Sequence, residues 1–282
     1  MRSARRNVDG VSTVVTGIFI LTAALMVASG YLIVAGKNYG LREEMVHQAS
    51  LEETALRISG AVDTLSLYGT EGDVMSFPVR LGTWGRSTTA TSRAVGSIEL
   101  TPEEKVLEIF LNEVNYAVSA GYLNLTANYR YTSPISYSYA AGGVFYLDPY
   151  GTGMLKEPSW RIEYGGGETW LILEIVTLTG DFQKVEGFTT ASITITLKSA
   201  QDVTLGSGDL RLISGSPLGR LALLELKRSA ETQGMAEVDP TPNPNPGEFF
   251  FTDSGTGAEM EMPSITGVRI SLTVIEIDLR RL

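Results

Sequence analysis

Residues 11–36, VSTVVTGIFILTAALMVASGYLIVAG, carry no charge and follow a short segment containing Arg2, Arg5 and Arg6. At ~1.5 Å rise per residue this run reaches ~39 Å as a helix, enough to cross a ~30 Å hydrocarbon core with some tilt. A cleavable secretory signal has an apolar region of only about 7–15 residues before its small-residue cleavage site. The run is longer than that, although Val34-Ala35-Gly36 would pass as such a site. It reads as a membrane anchor, with lipid as its first partner. Beyond it Lys37 and Arg42 are offset by Glu43 and Glu44, so the basic excess lies in front of the helix. That asymmetry predicts a cytoplasmic N-terminus and an external remainder.

Helical character continues past the apolar run. Leu51, Ala55, Ile58, Val62 and Leu65 recur at 4-3-4-3 spacing, which lines one helix face, while Glu43, Glu44, Glu52, Glu53 and Arg57 are assigned to the opposite face. A helix unbroken from Val11 to Leu67 would be ~85 Å long. The alternative is two helices jointed at Gly36 or Gly40, but a glycine costs only ~1 kcal/mol in a helix and packing can offset it. The expected organisation is a leader or cytoplasmic N-terminus over 1–10, a transmembrane and juxtamembrane helix over 11–67, and a β-rich extracytoplasmic head over 68–282.

After Tyr68 the glycines 69, 72, 82 and 85, with Pro78 and the Ser/Thr run 87–92, signal loops and short strands such as 76–81. Thr101-Pro102-Glu103-Glu104 places a cap, a first-turn proline and acids ahead of Val106, Ile109, Phe110, Val114 and Ala117, predicting a helix that stops at Gly121. From Leu123 onward the pattern is antiparallel β. Ile193, Ile195 and Leu197 alternate with Thr194, Thr196 and Lys198, so one face is buried. Residues 169–177 (TWLILEIVT) are apolar on both parities, as in a central strand covered on both sides. Val268, Ile270, Leu272 and Val274 share one parity and Ile275, Ile277 and Leu279 the other, which a bulge at Val274 and Ile275 would reconcile. Ser216-Pro217 opens a short helix through Leu218, Leu221, Ala222 and Glu225, and the Pro-rich loop 239–247 is extended and exposed. The fold class is α+β: a long N-terminal helix, then a mainly antiparallel β-sandwich-like head with one or two extra helices.

Composition excludes several chemistries. There is no cysteine, hence no thiol or cysteine metal site, and a net charge of −10 without a basic stripe beyond the leader argues against nucleic acid. A head of this size builds a core without disulfides. His47 is the single histidine and is expected to be solvated, with no nucleophile beside it. No phosphate-binding loop, dinucleotide fingerprint, zinc pattern or calcium loop is present, and Gly165-Gly166-Gly167 reads as a hairpin turn. The carboxylate pairs Glu259/Glu261 and Asp148/Glu157 are the remaining route to acid–base chemistry, and Asp202, Asp209, Asp253 and Glu259 the remaining route to a metal. Neither outweighs ordinary solvated acids, so no catalytic residue, metal or cofactor is expected. Asn124-Leu125-Thr126 is an N-glycosylation acceptor. Tyr129, Tyr131, Tyr137, Tyr139 and Tyr146 read as cross-strand packing before sugar-stacking rings.

The string Asp9-Gly10-Val11-Ser12-Thr13-Val14-Val15-Thr16-Gly17 resembles the start of archaeal type IV pilins and their relatives, in which a basic leader runs into a pattern close to Ala/Gly-Val-Ser-Pro-Val-Ile-Gly and then an apolar helix. Thr13 stands where that family has proline, and Thr16 moves the glycine one place later. The resemblance implies cleavage between Gly10 and Val11 by a membrane-embedded aspartyl leader peptidase, with the helix retained. Gly142-Gly143-Val144-Phe145-Tyr146 and Met154-Leu155-Lys156-Glu157-Pro158-Ser159-Trp160 resemble segments of large uncharacterised archaeal surface proteins with the same kind of helix, implying an all-β head and no known activity. In the pilin scheme Val14, Ile18, Leu21, Leu25 and Leu32 would bury against further copies or other pilin-like subunits. Gly17, Ala24, Ala28 and Gly30 would allow close helix approach. The expectation is a structural cell-surface subunit, anchored in the membrane by its helix, which then packs into a filament core. Its alternative is a permanently anchored adhesin or ligand-binding ectodomain, and a membrane-anchored hydrolase is more remote.

Overall fold

One unbroken helix, α1 (Ser3–Tyr68), carries the chain through the apolar run and on into the head. The computed structural model describes residues 3–84, 93–102, 105–112, 114–239, 245 and 247–282. With 66 residues α1 is ~99 Å long. Gly36 and Gly40 do not joint it; both are buried and continue the stripe of Glu44, His47, Leu51, Ala55, Ile58, Val62 and Leu65.

The head strands are β1 (Val74–Arg80), β2 (Thr83–Trp84), β3 (Arg93–Thr101), β4 (Lys105–Leu111), β5 (Val114–Ser119), β6 (Tyr122–Asn128), β7 (Ile135–Ala140), β8 (Gly143–Asp148) and β9 (Gly151–Lys156). They continue with β10 (Trp160–Gly165), β11 (Glu168–Thr179), β12 (Gln183–Gly187), β13 (Thr190–Leu205) and β14 (Gly208–Ser214). After helix α2 (Pro217–Thr232) come β15 (Ala236–Glu237), β16 (Glu248–Asp253), β17 (Ala258–Ile265) and β18 (Gly267–Arg281). They form three sheets: a first of order β1-β13-β18-β11-β10, a second of order β12-β3-β6-β7-β8-β9 with β2 on β3, and a third of order β15-β16-β17-β14-β4-β5. Pairing is antiparallel except for β11 with β18 and β15 with β16. The α+β class with a β-rich head therefore holds.

The first sheet serves two cores on opposite faces. In its half toward the end of β18, Ile193, Ile195, Ile275, Ile277 and Leu279 pack with Leu51, Ile58 and Val62 of α1 and with Ile98, Leu123, Tyr137 and Tyr139 of the second sheet. In its other half Leu171, Leu173, Val268 and Ile270 pack with Ile109, Leu212 and Met260 of the third sheet and with Leu223 and Leu226 of α2. The buried face changes along β11 between Ile175, in the second core, and Val176, in the first. The parallel β11–β18 register runs without a shift through that point. The mixed parity of residues 169–177 and 268–279 thus records two half-strands, each covered on one side, rather than a strand covered on both. A register shift does occur on this rung, but on β13 between Leu197 and Ser199, opposite Ile275 and Val274, so no bulge is needed in β18 itself. Helix α1 ends at the same level, where Gly69 sits against Leu197 and the amide of Gly72 donates to the Leu197 carbonyl at 2.8 Å.

Helix α2 starts as its sequence predicts: Ser216 is the N-cap, accepting from the Gly219 amide at 3.1 Å, and Pro217 occupies the first turn. It extends farther than a short helix because Ala222, Leu223, Leu226 and Ala230 enter the second core while Leu218, Leu221 and Leu224 meet Ala140 and Phe145 of the second sheet. The helix expected over 101–121 is absent; β4 and β5 form a hairpin there instead. Leu107, Ile109 and Leu111 bury at period two against β14, a ladder that outweighs the capping signal. The turn is marked by Asn112 at φ +48°, whose side chain bonds the Ser207 carbonyl and the Asp209 amide, both at 3.0 Å. Glu103 and Glu104, the run 87–92 and residues 240–244 and 246 of the Pro-rich loop lie outside the described residues.

Candidate functional site

Helix α1 has two halves of opposite character. Val14, Ile18, Leu21, Leu25 and Leu32 are each 51–63% exposed, and the most apolar stretch of the helix has no cover from the head. Gly17 and Gly30 face open space, where an added Cβ would meet nothing within 4 Å. Apolar surface costs about 25 cal/mol per Å² when left in water, so this half requires lipid or other apolar surface around it. By length and composition it is compatible with a single membrane crossing. Gly10 and Val11 lie within the same continuous helix.

From Gly36 onward the helix is built into the head, and the joint is polar. Glu44, assigned to the wet face by residue type, is fully buried. Its Oε1 accepts from the Arg130 amide at 3.0 Å, and its Oε2 from the Tyr131 and Thr132 amides at 2.8 and 2.9 Å and from the Thr132 hydroxyl at 3.2 Å. The turn between β6 and β7 folds around this carboxylate, which satisfies amide donors that an apolar residue would orphan. Farther up, the Lys156 ammonium on β9 bonds Ser59 at 2.7 Å and pairs with Asp63.

His47 is also buried, not solvated. Its Nε2 lies 3.2 Å from the Arg80 carbonyl and its Nδ1 3.0 Å from the Tyr129 hydroxyl. A carbonyl only accepts, so Nε2 carries the proton and Nδ1 accepts from Tyr129 in the neutral ring. Burial pushes the His47 pKa below its usual 6.5, opposed by the Arg80 carbonyl and aided by the Arg80 charge. The unfolded chain therefore takes up the proton first: stability present above about pH 6.5 is lost as pH falls toward the folded value. Denaturant titrations between about pH 7 and 5 should show a steeper loss for the native chain than for His47→Gln; equal slopes would remove His47 from the acid response.

The tyrosines pack. Tyr137 and Tyr139 are core residues, and Tyr137 stands opposite Tyr146 across β7–β8. Burial, with Glu52 nearby, pushes the Tyr137 pKa up to about 12. Gly166 and Gly167, at φ +64° and +86°, make the tight turn of the β10–β11 hairpin. Asn124 lies inside β6, half-buried, where its side-chain oxygen accepts from the Ser138 hydroxyl.

One of the two carboxylate pairs is brought together. Glu259 and Glu261 flank Arg211 on the third sheet, and desolvation with the neighbouring Glu259 raises the Glu261 pKa. Asp148 caps its own turn by accepting from the Tyr150 and Gly151 amides, while Glu157 lies beside Glu225 of α2, so the Asp148/Glu157 pair is not assembled. Asp253 is held by Arg220 in a two-pronged pair at 2.6 Å, the main cause of its pKa near 2. Asp209 accepts from the Ser264 amide and Asp202 from Ser271. Among the described residues no three histidines, cysteines or acids gather as a metal-binding group.

No known protein family matches the chain, and no curated protein or solved structure is significantly similar to it.

Proposed function

We propose that this chain is a structural cell-surface protein, a type IV pilin-like subunit whose N-terminal helix holds it in the membrane and then packs into a filament core. The observation that carries the reading is the division of α1: an apolar half with no cover, continuous with a half that is part of the head core. The Gly10-Val11 resemblance adds the leader and its peptidase. A non-catalytic role is supported by the separation of Asp148 from Glu157 and by the shared pairing of Glu259 and Glu261 with Arg211. The alternative, a permanently anchored adhesin or ligand-binding ectodomain, uses the same helix but keeps it in lipid.

Mass spectrometry of the N-terminal peptide separates the two. Val11 as the first residue, in protein recovered from sheared filaments, supports the subunit reading; an intact Met1, with protein confined to membranes, supports the anchored one. The anchor itself is tested by Leu21→Arg combined with Leu25→Arg. Each arginine near a helix centre disfavours insertion by ~2.5–3.5 kcal/mol, so the pair is expected to move the protein from the carbonate-resistant to the soluble fraction. Near-UV circular dichroism should stay unchanged, because both positions lie outside the head cores. Undiminished membrane retention would count against the anchor.

A further inference from the structure

The register of the sheets gathers one end of the head beside the apolar run. The Arg80 carbonyl bonds His47 and the Arg130 amide bonds Glu44, so both arginines stand at the lower part of α1. Arg80 pairs with Thr190 in β1–β13, and Ala191 and Ser192 pair with Arg281 and Arg280, which brings those two to the same end of the first sheet. Leu147 opposite Ser136, and Asp148 opposite Gly151, place the β8–β9 turn and its exposed Tyr150 at the end where β7 begins, beside the Arg130–Tyr131 turn. Glu44 is eight residues beyond Gly36, or ~12 Å along the helix, and burial of α1 starts at Gly36 itself. No stalk separates the head from the end of the apolar run.

The charge of this rim runs against that of the molecule. Lys37, Arg42, Arg80, Arg130, Arg280 and Arg281 are all exposed here in a chain of net charge −10. Among the described residues the acids at this end are Glu43, Glu44, whose carboxylate is taken up by the 130–132 turn, Asp278, which pairs with Arg280, and Asp148, which is turned onto the Tyr150 and Gly151 amides. On the rest of the head several basic groups stand against carboxylates, as in Lys156–Asp63, Lys198–Glu276 and Arg220–Asp253, and others against rings, as in Arg57 over Phe77 and Arg269 over Trp170. Arg130 lies over the Tyr131 ring at 5.4 Å, and Tyr150 is 89% exposed, the amphipathic chemistry favoured at a membrane–water boundary.

We propose that this rim is a second membrane contact, a basic and aromatic surface that takes anionic phosphate head groups of the bilayer crossed by α1. It rests on the anchor reading of α1 and adds that the head lies against the lipid surface rather than standing off it. Attraction to anionic lipid is screened by salt, so the contact weakens as ionic strength rises.

The absence of cysteine makes the test clean. The full chain, carrying one nitroxide at Phe19→Cys, Tyr131→Cys, Tyr150→Cys or Gly206→Cys, is placed in nanodiscs of phosphatidylcholine with or without phosphatidylglycerol. Collision with a nickel-chelating lipid head group is then read for each label. Gly206, at the other end of the 16-residue β13 and ~50 Å from the rim, is the distant control. Labels at 131 and 150 should collide with the head groups in anionic discs and the label at 206 should not. Arg130→Gln and Arg281→Gln should each lower that contact about fivefold, as should added salt in kind. If labels 131 and 150 match label 206 while label 19 sits in hydrocarbon, the rim proposal is overturned and the anchor stands. If label 19 is outside the hydrocarbon, the anchor fails and the rim with it.

Discussion

Glu44→Ala is expected to destabilise the head by ~3–5 kcal/mol and to lower its unfolding temperature by about 6–20 °C. The carboxylate is fully buried and accepts three backbone amides and a hydroxyl from one turn. Truncation leaves four donors of one turn without their acceptor, and leaving such groups unmade costs more than the bonds contributed. Glu44→Gln should lie between, because the amide oxygen can face the three donors around Oε2 while its NH2 opposes the Arg130 amide. Exposed Glu53→Ala is the control and should stay within ~0.5 kcal/mol of the native chain. A Glu44→Ala protein as stable as that control would sink the idea that this residue fastens head to helix.

Gly96→Ala is expected to leave little folded protein. A Cβ there would fall well inside contact distance of the Leu81 carbonyl oxygen and 2.7 Å from its carbon, and these are backbone atoms that no rotamer change can move. The chain is tight at this point because Leu81 and Gly82 carry it from the first sheet across β3 into the second. The Leu81 amide bonds the Thr189 carbonyl at 3.1 Å, and a Cβ on Gly82 would stand 2.5 Å from the Ala94 oxygen and 2.9 Å from that of Gly187. Overpacking that must shift backbone costs ~3 kcal/mol or more. Gly206→Ala, facing open space, is the matched control. Soluble yield and thermal unfolding report both, and a normally folded Gly96→Ala protein would falsify the close crossing.

The long helix was legible because its buried residues keep the 3.6 period through Leu51, Ile58 and Leu65. The same spacing continued backward reaches His47, Glu44, Gly40 and Gly36, so the full extent of the buried stripe was present in the residue numbers. Polar identity hid it: Glu44 and His47 read as solvent-facing because nothing local announces the turn at 130–132 that meets them. The second helix was marked by Ser216-Pro217, a local signal. The hairpin at Asn112 was not found, because a capping string at Thr101 competed with a period-two pattern that is decisive only once β14 lies alongside. The switch of buried face in β11 and β18 was least legible. Mixed parity has several structural meanings, and only the presence of two cores on opposite sides of one sheet selects among them.

The unbroken passage of α1 from apolar run to core also sets how the molecule bears load. A pull on the distal half of the head travels along β18 and β13, antiparallel strands paired over nearly their whole length, and then into a helix gripped along its side by the first core. Strands loaded along their length must break many rungs together, whereas a hinge or thin linker would yield one link at a time. With no such link between the head and the apolar run, tension reaches the far end of the helix without a weak joint, and a sideways push turns the apolar half of the helix as a lever.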